Sequence, residues 1–204
     1  MSGIAIGARL LVATHNRGKL EEIAHLLEPY GVTCVGAQEM GLSVPEETAD
    51  SFAGNARLKA LAAARATGLP ALADDSGLCV EALGGSPGVH TADWAETPLG
   101  RDFELAMRRV HRELESSGAP EPHRAHFCCA LVLASPDGRS EVFEGDVAGR
   151  IVWPMRGDKG HGYDPIFQPD GYDVTFAEMD RWEKNRISHR GAAFDKLIAA
   201  VEAR

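Results

Sequence analysis

A strand-sized apolar run over residues 9–14 is followed, past Gly18, by Leu20, Ile23, Leu26, Leu27 and Tyr30, which recur at helical spacing until Gly31. A strand that turns directly into an amphipathic helix commits the chain to layered α/β packing, because the helix must bury its apolar stripe on a sheet. The alternation continues. Residues 32–35 predict a second short strand, an irregular acidic stretch carries Pro45, Glu46 and Glu47, and an alanine-rich helix is expected over 51–66, closed by Gly68. The apolar run 69–73 ends abruptly in Asp74, Asp75, Ser76 and Gly77, so carboxylates are expected at a strand end, and residues 78–83 return to an extended pattern. Phe103, Met107, Val110 and Leu114 mark a helix that stops near Gly118. Residues 127–134 and 139–147 predict strands joined by Ser135-Pro136-Asp137-Gly138, a hairpin signal, with 149–152 extending the β region. Residues 154–172, rich in glycine and proline, lack periodicity and read as a site loop. A last helix from about Arg190 turns Phe194, Leu197, Ile198 and Val201 inward.

A chain of 204 residues, 44% hydrophobic and 25% charged, can bury a substantial core without staples. Its net charge of −9 argues against a surface that grips nucleic acid by counterion release. Apolar stretches such as 10–13 and 130–134 fall far short of the roughly 18 residues that a membrane span requires. Arg9 interrupts what would have to be a signal-peptide core, so a cytoplasmic protein is expected. Cys34, Cys79, Cys128 and Cys129 form no CxxC pair, and the adjacent two point to opposite faces of a strand; the spacing suggests neither a zinc site nor a disulfide framework.

Four constellations bear chemistry. Thr14-His15-Asn16-Arg17-Gly18-Lys19 sits at a strand-to-helix turn, where open backbone N–H groups and two cations suit phosphate, although an ordinary capped turn uses the same residues and no Walker A pattern is present. Glu46, Glu47, Asp74 and Asp75 offer hard oxygen donors suited to Mg²⁺, or else a solvated loop and a helix cap. Residues 157–165 place three glycines among His161, Tyr163 and Asp164, which lets backbone approach a ligand or simply makes a flexible turn. Lys184 with Ser188-His189-Arg190 forms a donor-rich cluster before the last helix, equally compatible with surface ion pairing.

Together these pieces are more specific. ATHNRGK (13–19), EET (46–48), LADDSGL (72–78), ALGGSPGV (82–89), GHGYDPIF (160–167) and EKNRISHR (183–190) stand in one order, and the set resembles the inosine triphosphate pyrophosphatase, or XTP/dITP diphosphatase, family over residues 11–197. The resemblance implies a single two-lobed α/β domain over residues 1–204, built on a long twisted mixed β-sheet with flanking helices. It places the active site in the cleft between lobes, and it implies a homodimer. It further implies Mg²⁺-dependent hydrolysis of deaminated purine nucleoside triphosphates (ITP, dITP and XTP) to the monophosphate and pyrophosphate.

By position, the resemblance assigns Thr14, His15, Asn16, Arg17, Gly18 and Lys19 to the triphosphate, with Asn16 and Lys19 as its main side-chain contacts. Glu47 and Asp75 would hold Mg²⁺, Asp75 would also accept the proton of the attacking water, and Ser76 would contact the nucleotide. His161, Gly162, Tyr163 and Asp164, with Lys184, His189 and Arg190, match the purine pocket. The chain departs from the family pattern at His161, where phenylalanine is usual, and at His90 and Asp93, where tyrosine and arginine are common. Those departures keep open a pyrophosphatase for a different altered nucleotide. A nucleotide sensor is the remaining alternative, disfavoured because the carboxylates would repel a triphosphate in the absence of a metal.

Overall fold

The computed structural model describes residues 9–15, 17–43 and 45–202. Its strands follow the order β2-β1-β3-β6-β7-β8 in one mixed sheet. The first three are β1 (Arg9–Val12), β2 (Thr33–Gly36) and β3 (Ala71–Val80), and β1 pairs in parallel with both others. The last three are β6 (Arg124–Ala134), β7 (Ser140–Ile151) and β8 (Phe167–Pro169), and β8 runs antiparallel to β7. A two-stranded ribbon, β4 (Glu96–Thr97) with β5 (Gly100–Arg101), stands apart. The helices are α1 (Arg17–Leu27), α2 (Phe52–Thr67), α3 (Phe103–Ser117), α4 (Arg181–Ile187) and α5 (His189–Glu202).

Two compact units divide the chain, and β3, β6 and β7 each contribute to both. The first takes the chain up to Asp75, Ala130–Glu144 and the chain from Ala193. Its core sets the small face of α2, Ala56, Ala60, Ala63 and Ala64, against Leu11, Ala71, Ala73, Ala130, Val132 and Ala134. Alanine at steps of four, three and one lets the helix lie close on the sheet, which brings the polar residues of that helix near β3. Ser51 caps α2, its Oγ accepting from the Gly54 N–H at 3.2 Å, and Gly68 ends it at φ 69°, its N–H bonding to the Ala64 carbonyl.

The second unit takes Ser76–Cys129 and Gly145–Ala192. Its core joins Leu78 and Val80 of β3, Ala125 and Phe127 of β6, and Ala106, Met107, Val110 and Leu114 of α3 with Phe167 and Phe176. Phe127 meets Phe167 edge-on at 4.7 Å between centroids, and Phe167 meets Phe176 at 5.1 Å, contacts worth about 1 kcal/mol each beyond their burial.

The alternation and the hairpin stand as read from the sequence, with three differences. β3 does not stop at Asp74 but continues without a break to Val80. What stops is its neighbour: β1 ends at Val12, paired with Leu72, so Asp74 and Asp75 follow directly where β3 loses that partner. The segment 154–172 contains a 3₁₀ turn, Asp164–Ile166, and β8, because Phe167 and Ile166 are needed in the core. Asp180 caps a short helix, α4, that periodicity did not reveal, accepting from the N–H groups of Trp182 and Glu183.

Candidate active site

In the first unit, the carboxylates expected to hold a metal converge. Lys59 on α2 sends its ammonium to Glu47 Oε1 and lies 4.0 Å from Asp75 Oδ1, so one cation serves both acids. Asn55, one turn earlier on the same helix face, donates from Nδ2 to Asp75 Oδ2 at 3.2 Å. Its Oδ1 accepts from the Ala49 N–H at 2.9 Å, which ties the loop carrying Glu47 to the helix. Asp74, only 4% exposed, accepts from Lys19 Nζ at 2.6 Å. Asp75 is 9% exposed, and adjacent buried acids are sustained here by two lysines, since an unpaired buried carboxylate costs several kcal/mol.

The donor set fits a hard divalent cation. Oxygen ligands from Glu47 and Asp75 already share the Lys59 ammonium, a stand-in cation, and Mg²⁺ prefers one or two carboxylates plus substrate oxygens and water.

Of the residues expected to bind phosphate, those described lie at the start of α1. The Thr14 N–H bonds back to the Val12 carbonyl at 2.8 Å, and His15 Nε2 contacts the Leu42 carbonyl at 2.9 Å. Gly18 falls in the first turn of the helix. Arg17 is largely exposed and pairs with Glu21 on the next turn, so of the two loop cations it is Lys19 that joins the acidic group. Asn16 lies outside the described residues.

In the second unit, Asp164 organises the glycine loop. Its Oδ2 accepts from the His161 N–H at 2.7 Å and from the Lys184 ammonium. Gly160, at φ 74°, packs so tightly on that oxygen that a Cβ would collide with it, and Gly162 at φ 68° makes the second left-handed turn. Asp164 and Lys184 are 3% and 9% exposed, an ion pair taken almost wholly out of water. The His161 side chain stays exposed.

Tyr163 belongs to the core. Its ring meets Phe103 edge-on at 5.7 Å, its hydroxyl donates to the Thr91 carbonyl at 2.9 Å, and burial pushes its phenol well above the usual tyrosine range. His189 stacks on Phe127 with centroids 5.0 Å apart and 13° between planes, and Arg190 reaches Ser76 Oγ at 3.4 Å. The two departures near residue 90 answer one another: His90 Nδ1 contacts Asp93 Oδ2 at 2.8 Å.

Residues 10–200 match the model of the Ham1 family. The chain belongs to the Ham1 family. A relative from Ruegeria pomeroyi, "dITP/XTP pyrophosphatase", is 66% identical over 192 residues, covering 94% of each chain. One of the same name from Zymomonas mobilis is 54% identical over 94% of this chain and 91% of its own. Among solved structures, a HAM1 protein from Coxiella burnetii superposes with a TM-score of 0.90 at 35% identity, over 96% of this chain and 99% of that one. The nucleoside-triphosphatase, dITP/XTP pyrophosphatase, from Mycobacterium abscessus gives a TM-score of 0.75 at 39% identity, over 93% and 98%. The α/β architecture read from the sequence is thus the Ham1 architecture.

Two residues of the acidic group escaped the reading of the sequence. Asn55 and Lys59 stand four apart in SFAGNARLK, a spacing that puts both on one face of α2, but they look like ordinary polar positions in an alanine-rich helix. The signal available was their place among the buried alanines rather than opposite them.

Proposed function

We propose that the chain is a Mg²⁺-dependent nucleoside triphosphate pyrophosphatase that converts deaminated purine nucleotides, ITP, dITP and XTP, to the monophosphate and pyrophosphate, acting as a cytoplasmic homodimer. The observation that carries this reading is the convergence of Glu47 and Asp75 on one cation. The names of the relatives give the substrate class. Among the described residues no helix is long and apolar enough to cross a membrane.

Glu47 and Asp75 hold the metal, which supplies Lewis-acid polarisation of phosphoryl oxygen when bound. Asn55, on Asp75 Oδ2, fixes the orientation of that carboxylate, so that Asp75 takes the proton of the attacking water. Lys59 and Lys19 offset charge that grows on the phosphoryl oxygens, and Asp74 keeps Lys19 in place. Thr14, His15, Asn16, Arg17 and Gly18 line the triphosphate, and Ser76 contacts the nucleotide near the acids.

His161, Gly162, Tyr163, Asp164, Lys184, His189 and Arg190 read the base. Hypoxanthine and xanthine present an acceptor at position 6, which donors from His189 and Arg190 satisfy; the adenine amino group leaves the same donors unpaired. Tyr163 and Asp164 serve by shaping the loop. GTP shares the 6-oxo group, so its exclusion rests on the 2-amino group.

Release of pyrophosphate and monophosphate from ITP, XTP, GTP and ATP, each with Mg²⁺ and with chelator, tests the whole reading. Turnover of ITP and XTP that stops on chelation, with kcat/KM for ATP lower by roughly 10⁴-fold, is expected. Equal turnover of all four nucleotides, or none by folded protein, overturns it. Lys59→Met should lower kcat for ITP by about 10²-fold with a smaller change in KM, as expected for a group that acts mainly on the transition state. Single-turnover kinetics check this, and an unchanged kcat removes Lys59 from the chemistry.

A further inference from the structure

We propose that Cys79, His126 and Cys128 form a second metal site, one that takes a thiophilic cation, zinc(II), and that is separate from the carboxylate group. Strand parity builds it. On β6, Ala125 and Phe127 point into the core of the second unit, which turns His126 and Cys128 together onto the opposite face. On β3, Leu78 and Val80 enter that same core, so Cys79 between them also faces away from it. β3 and β6 are neighbours in the sheet, and the Cys79 and Cys128 sulfurs and a His126 ring nitrogen all lie within 4.8 Å of one another. The two thiols are hydrogen-bonded to each other. His126 and Cys128 are half-buried, which leaves the cluster open to an ion from solution on that side.

Two thiolates and an imidazole are a donor set that Zn²⁺ favours and Mg²⁺ does not. A tetrahedral zinc ion holds its sulfurs about 3.8 Å apart, so closure from separations within 4.8 Å needs at most about 1 Å of side-chain movement. Binding forms two Zn–S bonds and one Zn–N bond and releases the two thiol protons to solvent, and three protein ligands leave the fourth position to water. The bound ion links β3 to β6. The remaining cysteines do not belong to it: Cys34 lies on β2 in the first unit, its thiol pushed up to about 11 by burial, and Cys129 is buried on the other face of β6.

Cobalt(II) separates this site from the oxygen site. Added to the reduced, metal-free full chain under saturating Mg²⁺, Co²⁺ should give a thiolate-to-cobalt charge-transfer band at one equivalent, and Zn²⁺ should bleach it. Cys128→Ser and His126→Ala should each weaken Zn²⁺ binding at least 100-fold, since even outer-shell partners of a metal are worth about 10- to 100-fold. Cys34→Ser should leave it unchanged. Absence of the band, or a band lost in Cys34→Ser and kept in Cys128→Ser, overturns the proposal; should Cys128→Ser fail to fold, His126→Ala decides. Because the readout is sulfur ligation, the result does not depend on nucleotide turnover.

Discussion

Asp75→Asn should lower kcat for ITP by about 10³-fold, roughly 4 kcal/mol of barrier, while leaving the fold intact. The substitution keeps the size of the side chain and one carbonyl oxygen for Asn55 Nδ2, now 3.2 Å from Asp75 Oδ2, so the helix-to-strand contact survives. What disappears is the negative charge that faces Lys59 and, with it, both the capacity to take a proton and half of the carboxylate pair that would hold Mg²⁺. Lys59 then retains Glu47. The expected signature is a near-normal thermal transition, a strongly reduced rate of pyrophosphate release, and a Mg²⁺ requirement shifted to higher concentration. A variant that keeps more than a tenth of the wild-type rate would exclude Asp75 as the proton acceptor.

Lys184→Met should produce the largest loss of stability, about 3 to 5 kcal/mol, because it strands a buried carboxylate. Asp164 is 3% exposed and, among the described residues, its carboxylate would keep the His161 N–H as donor; Lys184 also lies 5.5 Å over the ring of Phe176. For a chain of this length the change corresponds to a melting temperature lower by about 10 °C. Combining Lys184→Met with Asp164→Asn should recover much of the loss, since a neutral amide tolerates burial better than an unpaired anion. Urea denaturation of the wild type, both single variants and the double variant measures the coupling directly. Additive losses would mean that the pair contributes little, and that the glycine loop is held by the backbone turns at Gly160 and Gly162 instead.

The order of strands and helices was legible because it is written in local periodicity: the helical recurrence from Leu20, the alanine face of α2, the Asp-Gly hairpin. Helix α4 was not, since seven residues give too few turns for a period to show, and only the cap at Asp180 marks it. The extent of β3 was misjudged for a related reason. Asp-Asp-Ser-Gly has poor strand propensity, yet the run continues as strand to Val80, where Leu78 and Val80 enter the core of the second unit.

By itself the sequence determined the α/β class, the segments that carry charge, and the family, through short motifs standing in one order along the chain. Only the tertiary structure decided which charges meet. Lys59 is 16 residues from Asp75 in sequence, and its place beside the alanine face says only that it lies near the sheet; the packing of α2 on β3 selects its partner. The ring of Tyr163 packs in the core of the second unit, and Cys79, His126 and Cys128 became a cluster only when β6 was laid beside β3. Periodicity reports which face of an element is apolar, a property of neighbours in sequence. Ion pairs, metal sites and proton acceptors depend on separations of a few ångströms between residues far apart in the chain, and strand pairing and helix packing set those distances.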